Sequence, residues 1–214
     1  MTAAKIYLAS ASPRRRELLA QLGLAFELVS PEVDETRLPG EAPADYVQRL
    51  ALAKARRGWE MTQGQGRLVL GADTCIAIDA DILGKPAAEA EGLAMLARLS
   101  GRSHEVYSAV ALMGAIEYNQ LSEDVQGIRA IGTDALAAMV RLSISRVSFA
   151  PLTPQQCQAY WHSGEPHDKA GAYAIQGRGA AFVQHLEGSY SGVVGLPLFE
   201  TAELLQRHGI ELIS

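Results

Sequence analysis

The stretch that most constrains this chain runs from Arg67 to Pro86, R-L-V-L-G-A-D-T-C-I-A-I-D-A-D-I-L-G-K-P. Leu68–Leu70 and Cys75–Ile78 are short apolar runs, and Asp79-Ala80-Asp81 supplies turn chemistry before Ile82-Leu83, so the pattern predicts a strand, a tight turn and a returning strand. Asp73 sits between the two apolar runs. A carboxylate in such a strand loses hydration that a cation or several donors must replace, unless it takes up a proton. Two readings follow: an acid that binds a metal or moves a proton, with Lys85 holding an anion nearby, or a structural Asp-Lys pair. A hairpin centred on Ala80 sets Lys85 opposite Cys75, on the face of Asp73, whereas a two-residue turn slips the register and sends Lys85 away. Gly71 and Ala72 leave room for a ligand to approach the backbone.

With 214 residues and 48% hydrophobic content the chain can bury a substantial core, and residues 1–214 are expected to form a single domain. A net charge of −5 argues against a nucleic-acid partner, while leaving room for small anions at local cationic clusters. Cys75 and Cys157 offer neither a disulfide framework nor metal-ligand spacing. Neither an apolar signal segment nor a run approaching roughly 18 apolar residues is present, so no membrane partner and a cytoplasmic location are expected.

The first such cluster follows the strand Lys5–Ser10. Ser12 suits an N-cap, Pro13 the first helical position, and Gly23 the far end, with Leu18, Leu19 and Leu22 as the buried stripe. Arg14, Arg15 and Arg16 then crowd a helix N-terminus that favours anions by roughly 0.3–1 kcal/mol each. Free amides, the Ser10 and Ser12 hydroxyls and guanidinium forks together predict a phosphate site, unless the arginines are merely solvated.

After a second strand, Phe26–Ser30, the acids Glu32, Asp34 and Glu35 lie close together; with Asp73 they suit a divalent ion, or they form a solvated loop. A helix from Pro43 places Lys54 on the same stripe as Val47, Leu50 and Ala51, so its ammonium either snorkels past the core edge or enters the cleft of Asp73.

Ala88–Leu99 is a helix, and His104–Met113 a strand whose His104 reads as a satisfied core or strand-edge histidine. Gly114–Met139 fits an insertion with a short helix at Thr133–Met139, and the phase change at Arg146-Val147 within Val140–Phe149 predicts a β-bulge. Thr153-Pro154 opens a helix to Ser163. Beyond it, glycines interleave with Asp168, Lys169, Tyr173 and Gln176 in a segment suited to shaping a pocket. A strand at Ala181–Leu186 precedes a last helix with Leu198, Ala202 and Leu205 facing the core. G-R-G-A-A-F lacks the third glycine of a dinucleotide fingerprint, and G-S-Y-S-G has Tyr190 where a nucleophile elbow needs serine.

The segments L-A-S-A-S-P-R-R, V-D-E, L-A-L-A-K-A, L-G-A-D-T, G-K-P, S-G-R-S-H-E-V, D-K-A-G-A-Y-A-I-Q-G and G-S-Y-S-G-V-V-G-L-P occur in this order, and the chain resembles the Maf family of nucleotide pyrophosphatases. The form D-K-A-G-A-Y-A-I-Q-G is similar to the branch acting on dTTP and UTP rather than that acting on 7-methyl-GTP. The resemblance implies an α/β fold of the inosine-triphosphatase-like kind: a twisted mixed sheet flanked by helices, with two lobes around a cationic cleft. It implies Asp73 as catalytic acid or base, with Arg14, Thr74 and Gln176 governing substrate choice. Ser10, Arg15, Glu35, Lys54 and Lys85 would line the phosphate and metal site, with Mg or Mn held by Glu35 and Asp73. The implied reaction is cleavage of a nucleoside triphosphate to monophosphate and pyrophosphate. Gly192 stands where many members have Asn, and 114–139 is longer than usual, which bears on a peripheral connection or a homodimer contact.

Two other classes fit parts of the chain. Asp79-Ala80-Asp81 resembles the acid pair of metal-dependent nucleotidyltransferases, and the family's association with septum formation suggests a nucleotide-binding regulator of cell division without turnover.

Overall fold

The computed structural model describes residues 6–63, 68–79, 81–114, 129–133 and 136–212. Its centre is an eight-stranded mixed sheet in the order β2-β1-β3-β5-β7-β6, with β4 paired to β3 and β8 to β7. The strands are β1 (Ile6–Ala9), β2 (Phe26–Val29), β3 (Leu68–Ile78), β4 (Asp81–Leu83), β5 (Ser103–Gly114), β6 (Arg129–Thr133), β7 (Leu136–Phe149) and β8 (Val183–Glu187). β1 runs parallel to β2 and β3, and the remaining pairs are antiparallel. The helices are α1 (Pro13–Ala20), α2 (Pro43–Met61), α3 (Glu89–Leu99), α4 (Pro154–His162), α5 (Tyr190–Val194) and α6 (Leu198–Arg207). This is the α/β architecture expected, a mixed sheet flanked by helices.

β3 is buried along nearly its whole length, and alternate residues serve two different layers. Leu70, Ala72 and Ile76 join a core with Leu18 and Leu19 of α1, Leu96 and Leu99 of α3, and Leu204 and Leu205 of α6. On the other face, Cys75 joins Ala109 and Ala111 of β5 beneath Val47, Ala51 and Ala55 of α2. Fully buried Val47 and Leu50 each contribute roughly 1.5–3 kcal/mol to seating α2.

α2 approaches β3 so closely because of Gly71. A β-carbon there would lie 2.3 Å from the Ala51 carbonyl oxygen and 2.5 Å from the Ala55 nitrogen. The occupant of the space anticipated for a ligand is therefore a helix backbone.

The two faces also explain β7. Val140 and Leu142 pack with the α2 layer, whereas Val147 and Phe149 belong to the opposite core. Pairing with β5 is continuous from Ser103↔Ser148 to Gly114↔Ala137, and the register breaks instead against β8, between Ser148 and Phe149. The phase change at Arg146-Val147 thus reports a change of covered face rather than a bulge at that position. Leu136–Met139 is strand, which replaces the helix expected there; the rest of that helix partly falls outside the described residues. The expected strand at Ala181–Leu186 starts at Val183, after a 3₁₀ turn over Arg178–Phe182. In α6 the buried residues are Thr201, Leu204 and Leu205, with Leu198 and Ala202 half-buried. Thr201 is accommodated because its hydroxyl donates to the Pro197 carbonyl at 2.7 Å.

Candidate active site

Asp73 lies on the α2 face of β3, beside Ala109 of β5. Lys54, on the buried stripe of α2, donates to Asp73 Oδ1 at 2.6 Å and lies 2.6 Å from Glu35 Oε1. Lys54 and Asp73 are both buried, so of the two routes open to the ammonium the one toward Asp73 is taken. Glu35 arrives on the 30–42 loop, which α2 anchors: Tyr46 donates its hydroxyl to the Glu35 carbonyl at 3.0 Å, and Arg49 grips both Glu41 oxygens at 2.6 and 2.8 Å. Burial alone would raise the Glu35 carboxyl, but the hydrogen bond and charge of Lys54, with Lys85 and Arg15, hold it below its ordinary range. Of the other two acids in that loop, Asp34 accepts from the Thr36 amide at 2.8 Å in a local turn, and Glu32 is exposed.

The cationic half begins where β1 ends. Buried Ser10 accepts at Oγ from the Ser12 amide at 3.2 Å and from Arg15 Nη1 at 3.5 Å. Ser12 occupies the N-cap of α1 with Pro13 behind it, but its hydroxyl caps no backbone amide. The first turn therefore keeps its free N–H groups alongside two half-buried guanidiniums. Arg15 Nε donates to the Gly195 carbonyl at 2.8 Å, and burial lowers its pKa while Asp73 and Glu35 raise it again. Arg14 is lowered by burial and by the charge of Arg15. Two cations left partly desolvated side by side favour an anion between them.

Thr74 points to the other face of β3. It shares a hydrogen bond with Ser108 at 2.9 Å and donates to the same Gly195 carbonyl at 3.3 Å, so it meets Arg15 rather than Asp73. Gly195 closes α5 with φ 139°, a backbone that side chains rarely tolerate.

Lys85 reaches the cluster by a route the strand register does not give. β4 pairs Ile78↔Asp81 and Ile76↔Leu83, the two-residue turn that carries Lys85 off the Asp73 face, with Asp79 at φ 53°. β4 ends at Leu83, however, and Gly84 accepts from the Gly171 amide at 3.0 Å. That tie brings Lys85 within electrostatic reach of Glu35 and of Lys169. Lys169 is lowered first by burial and then by Arg14, against the opposing pull of Asp168 and Glu165. Asp168 itself adopts φ 61° in this loop. Gln176 is exposed, and its side-chain amide has no hydrogen-bond partner among the described residues.

Sequence reasoning did not single out Glu165 or Tyr160. Glu165 accepts from the Tyr160 hydroxyl at 2.7 Å and from the amides of Arg178 and Gly179 at 2.9 and 3.0 Å. Gly177 and Gly179 were the available signal, since the first marks a close approach to Glu165 and the second to Tyr160.

No group of three His, Cys, Asp or Glu side chains suited to a metal occurs among the described residues. The fit to a divalent ion rests on two. Asp73 and Glu35 already converge on a single positive charge, the Lys54 ammonium. Mg²⁺ keeps several waters and takes one or two carboxylates together with substrate phosphates, so this pair suits such an ion only in company with a phosphate ligand. The acids of the hairpin turn lie elsewhere: Asp79 pairs with Arg102 at 2.6 Å and Asp81 with Arg98 at 3.0 Å, which accounts for them as surface ion pairs.

An acid pair on one side, and on the other arginines at a helix N-terminus with two lysines in electrostatic reach, give the charge pattern of an α/β protein suited to holding a polyanion. The chain belongs to the family described as Maf-like protein, whose model matches residues 5–208. It is 49% identical to a dTTP/UTP pyrophosphatase of Bordetella avium, with 97% of each chain covered. It is 46% identical to the dTTP/UTP pyrophosphatase of Pseudoalteromonas atlantica, over 94% of this chain and 96% of that one. Among solved structures it overlaps a nucleoside-triphosphatase (dITP/XTP pyrophosphatase) of Mycobacterium abscessus at 24% identity, covering 75% of this chain and 95% of that one. The TM-score of that overlap is 0.37.

Proposed function

We propose that this chain hydrolyses dTTP and UTP between the α and β phosphates, adding water and releasing the monophosphate and pyrophosphate. The observation that carries the reading is the buried Asp73, fixed at one oxygen by Lys54 and facing the cation cluster of α1. Its near full-length likeness to relatives named dTTP/UTP pyrophosphatase supports the substrate class.

The residues divide the work by charge. Lys54 takes Asp73 Oδ1, and Oδ2 has no partner among the described residues, so it is the atom placed to accept a proton from attacking water. Arg14, Arg15, Lys85 and Lys169 stabilise the charge that gathers on the departing pyrophosphate, assisted by the free amides of the first turn of α1 and the Ser10 and Ser12 hydroxyls. Glu35 would hold a divalent ion, Mg or Mn, which when bound neutralises phosphate charge; Asp73 would join it as a ligand only if another group takes the proton, since one carboxylate does not serve well as base and metal ligand together. Gln176 presents both a donor and an acceptor to the edge of uracil or thymine, with Asp168 and Lys169 in the same loop. Thr74 supports Arg15 through their shared carbonyl partner. We assign the protein to the cytoplasm, in keeping with its substrate class; no helix of the described residues is long and apolar enough to cross a membrane.

A pyrophosphate-release panel over UTP, dTTP, ATP, GTP and 7-methyl-GTP tests the reading. UTP and dTTP should lead, and equal rates or a preference for 7-methyl-GTP would overturn it. Turnover of UTP with no acceptor present separates a hydrolase from a transferase, and binding without turnover would make the protein a regulator.

A further inference from the structure

We propose that Glu165, acting with Tyr160, positions Gln176 and thereby sets the preference for the base; the proposal rests on Gln176 as the group that reads it. Gln176 projects from the outside of a short bend, closed by the Gly177 amide donating to the Ala174 carbonyl at 3.3 Å. The exposed amide of Gln176 contributes nothing to holding that bend, although the neighbouring Ile175 is buried in the core. The chain on both sides is instead tied to one carboxylate. Two residues before Gln176, the Ala174 amide donates to Tyr160 Oη at 3.0 Å, and that hydroxyl donates to Glu165 Oε1 at 2.7 Å. Two and three residues after it, the Arg178 and Gly179 amides donate to Glu165 Oε2 and Oε1 at 2.9 and 3.0 Å.

The glycines of Q-G-R-G are explained by the same clamp. A β-carbon on Gly177 would fall 2.4 Å from Glu165 Oε2, and one on Gly179 would fall 2.6 Å from Tyr160 Oη. Only a bare backbone passes this close to the two side chains. Tyr160 is itself fixed, buried and edge-on to Phe182 with ring centroids 4.9 Å apart. The Glu165 backbone amide donates to Ser163 Oγ at 3.3 Å, which seats the acid at the end of α4. Hydrogen bonds to an ionised acceptor are roughly twice as strong as neutral ones, so a carboxylate is the suitable group for gathering three donors here. An amide in its place turns an NH₂ toward a backbone N–H and loses at least one of the three.

Glu165 makes no hydrogen bond to a phosphate-binding residue and reaches Lys169 through its charge alone, and that separation of contacts supplies the test. In Glu165→Gln the ratio of kcat/KM for UTP over ATP should fall about tenfold, mainly through a higher KM for UTP. Competitive inhibition by inorganic tripolyphosphate, which has no base, should stay within about twofold of wild type. In a Gln176→Ala background, Glu165→Gln should leave the ratio unchanged, because the group it positions is gone. Should Glu165→Gln not fold, Tyr160→Phe keeps the ring packing, removes the Ala174 anchor, and should shift the ratio in the same direction by a smaller factor. A ratio unmoved by either clamp variant while Gln176→Ala lowers it overturns the positioning role. Parallel loss of tripolyphosphate inhibition overturns it too, by making Glu165 a general support of the loop. A Gln176→Ala variant with the wild-type ratio overturns the base-reading assignment and the proposal with it.

Discussion

Gly71 precedes Asp73 by two residues on the same face of β3, and its missing side chain is what lets Lys54 reach that acid. The α2 backbone fills the place of a Gly71 β-carbon, with Ala51 oxygen 2.3 Å and Ala55 nitrogen 2.5 Å away, and Lys54 lies between these two residues in sequence. Gly71→Ala must therefore push α2 off the sheet. Overpacking of this kind costs typically 1–3 kcal/mol, or about 2–4 °C of melting temperature per kcal/mol in a chain of this size. The variant should melt several degrees lower and lose turnover together. A protein that melts earlier with full kcat would show that the Lys54–Asp73 contact tolerates displacement.

Asp73→Asn should keep the fold and lose turnover by about 10²–10⁴. Lys54 retains Glu35 as a partner at 2.6 Å in that variant, so the ammonium is not left buried alone. Pyrophosphate release from UTP, with circular dichroism as the fold control, decides the matter; a rate near wild type would remove Asp73 from the chemistry.

The two arginines should behave differently from one another. Arg14 has no hydrogen-bond partner among the described residues and loses by desolvation, so Arg14→Ala should weaken triphosphate binding while leaving stability level or slightly higher. Arg15 anchors the Gly195 carbonyl at 2.8 Å, so Arg15→Ala should weaken binding and also cost about 0.5–1.5 kcal/mol of stability. Melting curves beside titration with a non-hydrolysable UTP analogue measure both, and equal stability losses would show that Arg14 is structural as well.

Much of this arrangement was legible in one dimension. Helical periodicity put Lys54 on the buried stripe, and an acid between apolar runs marked Asp73, because each misfit stands out against its own element. What failed was anything set by a partner remote in sequence. The room at Gly71 could not reveal that α2 would fill it. The hairpin register correctly decided where Lys85 would not be, yet its final place depends on a bond between Gly84 and Gly171. β7 changes its buried face because α2 covers only part of the sheet, a fact absent from the strand's own alternation. Glu165 looked like one more acid in a polar loop until the fold brought three donors to it.

Removal of divalent ions should abolish pyrophosphate release, and Mg²⁺ or Mn²⁺ should restore it. Because two carboxylates suffice only together with phosphate oxygens, the ion should bind weakly to the free protein and more tightly with a nucleotide analogue present. Calorimetric titration of Mg²⁺ with and without the analogue reads this directly. Unchanged rates in chelator would take the metal out of the mechanism.

The pH dependence of stability should centre on His104, which is 2% exposed. Its Nε2 shares a hydrogen bond with the Tyr173 hydroxyl at 2.8 Å, its ring packs edge-on to Phe149 and Tyr173, and its Nδ1 has no partner among the described residues. Burial lowers its pKa from 6.5 to about 4. A folded-state pKa below the unfolded one means that the fold holds the neutral ring and the unfolded chain binds the proton more readily. The stabilisation is thus complete above about pH 6.5 and is lost as the pH falls from there toward about 4, a change on the order of 3 kcal/mol at full extent. His208 is lowered by burial as well, against a hydrogen bond to the Leu204 carbonyl that raises it, and adds a loss of the same sign. Melting temperatures should therefore hold level near about pH 7.5 and decline toward about pH 5. His104→Gln, which keeps a hydrogen-bonding group toward Tyr173 without a titrating ring, should start lower at the higher pH and decline less. Parallel curves for the two proteins would place the acid sensitivity outside this histidine.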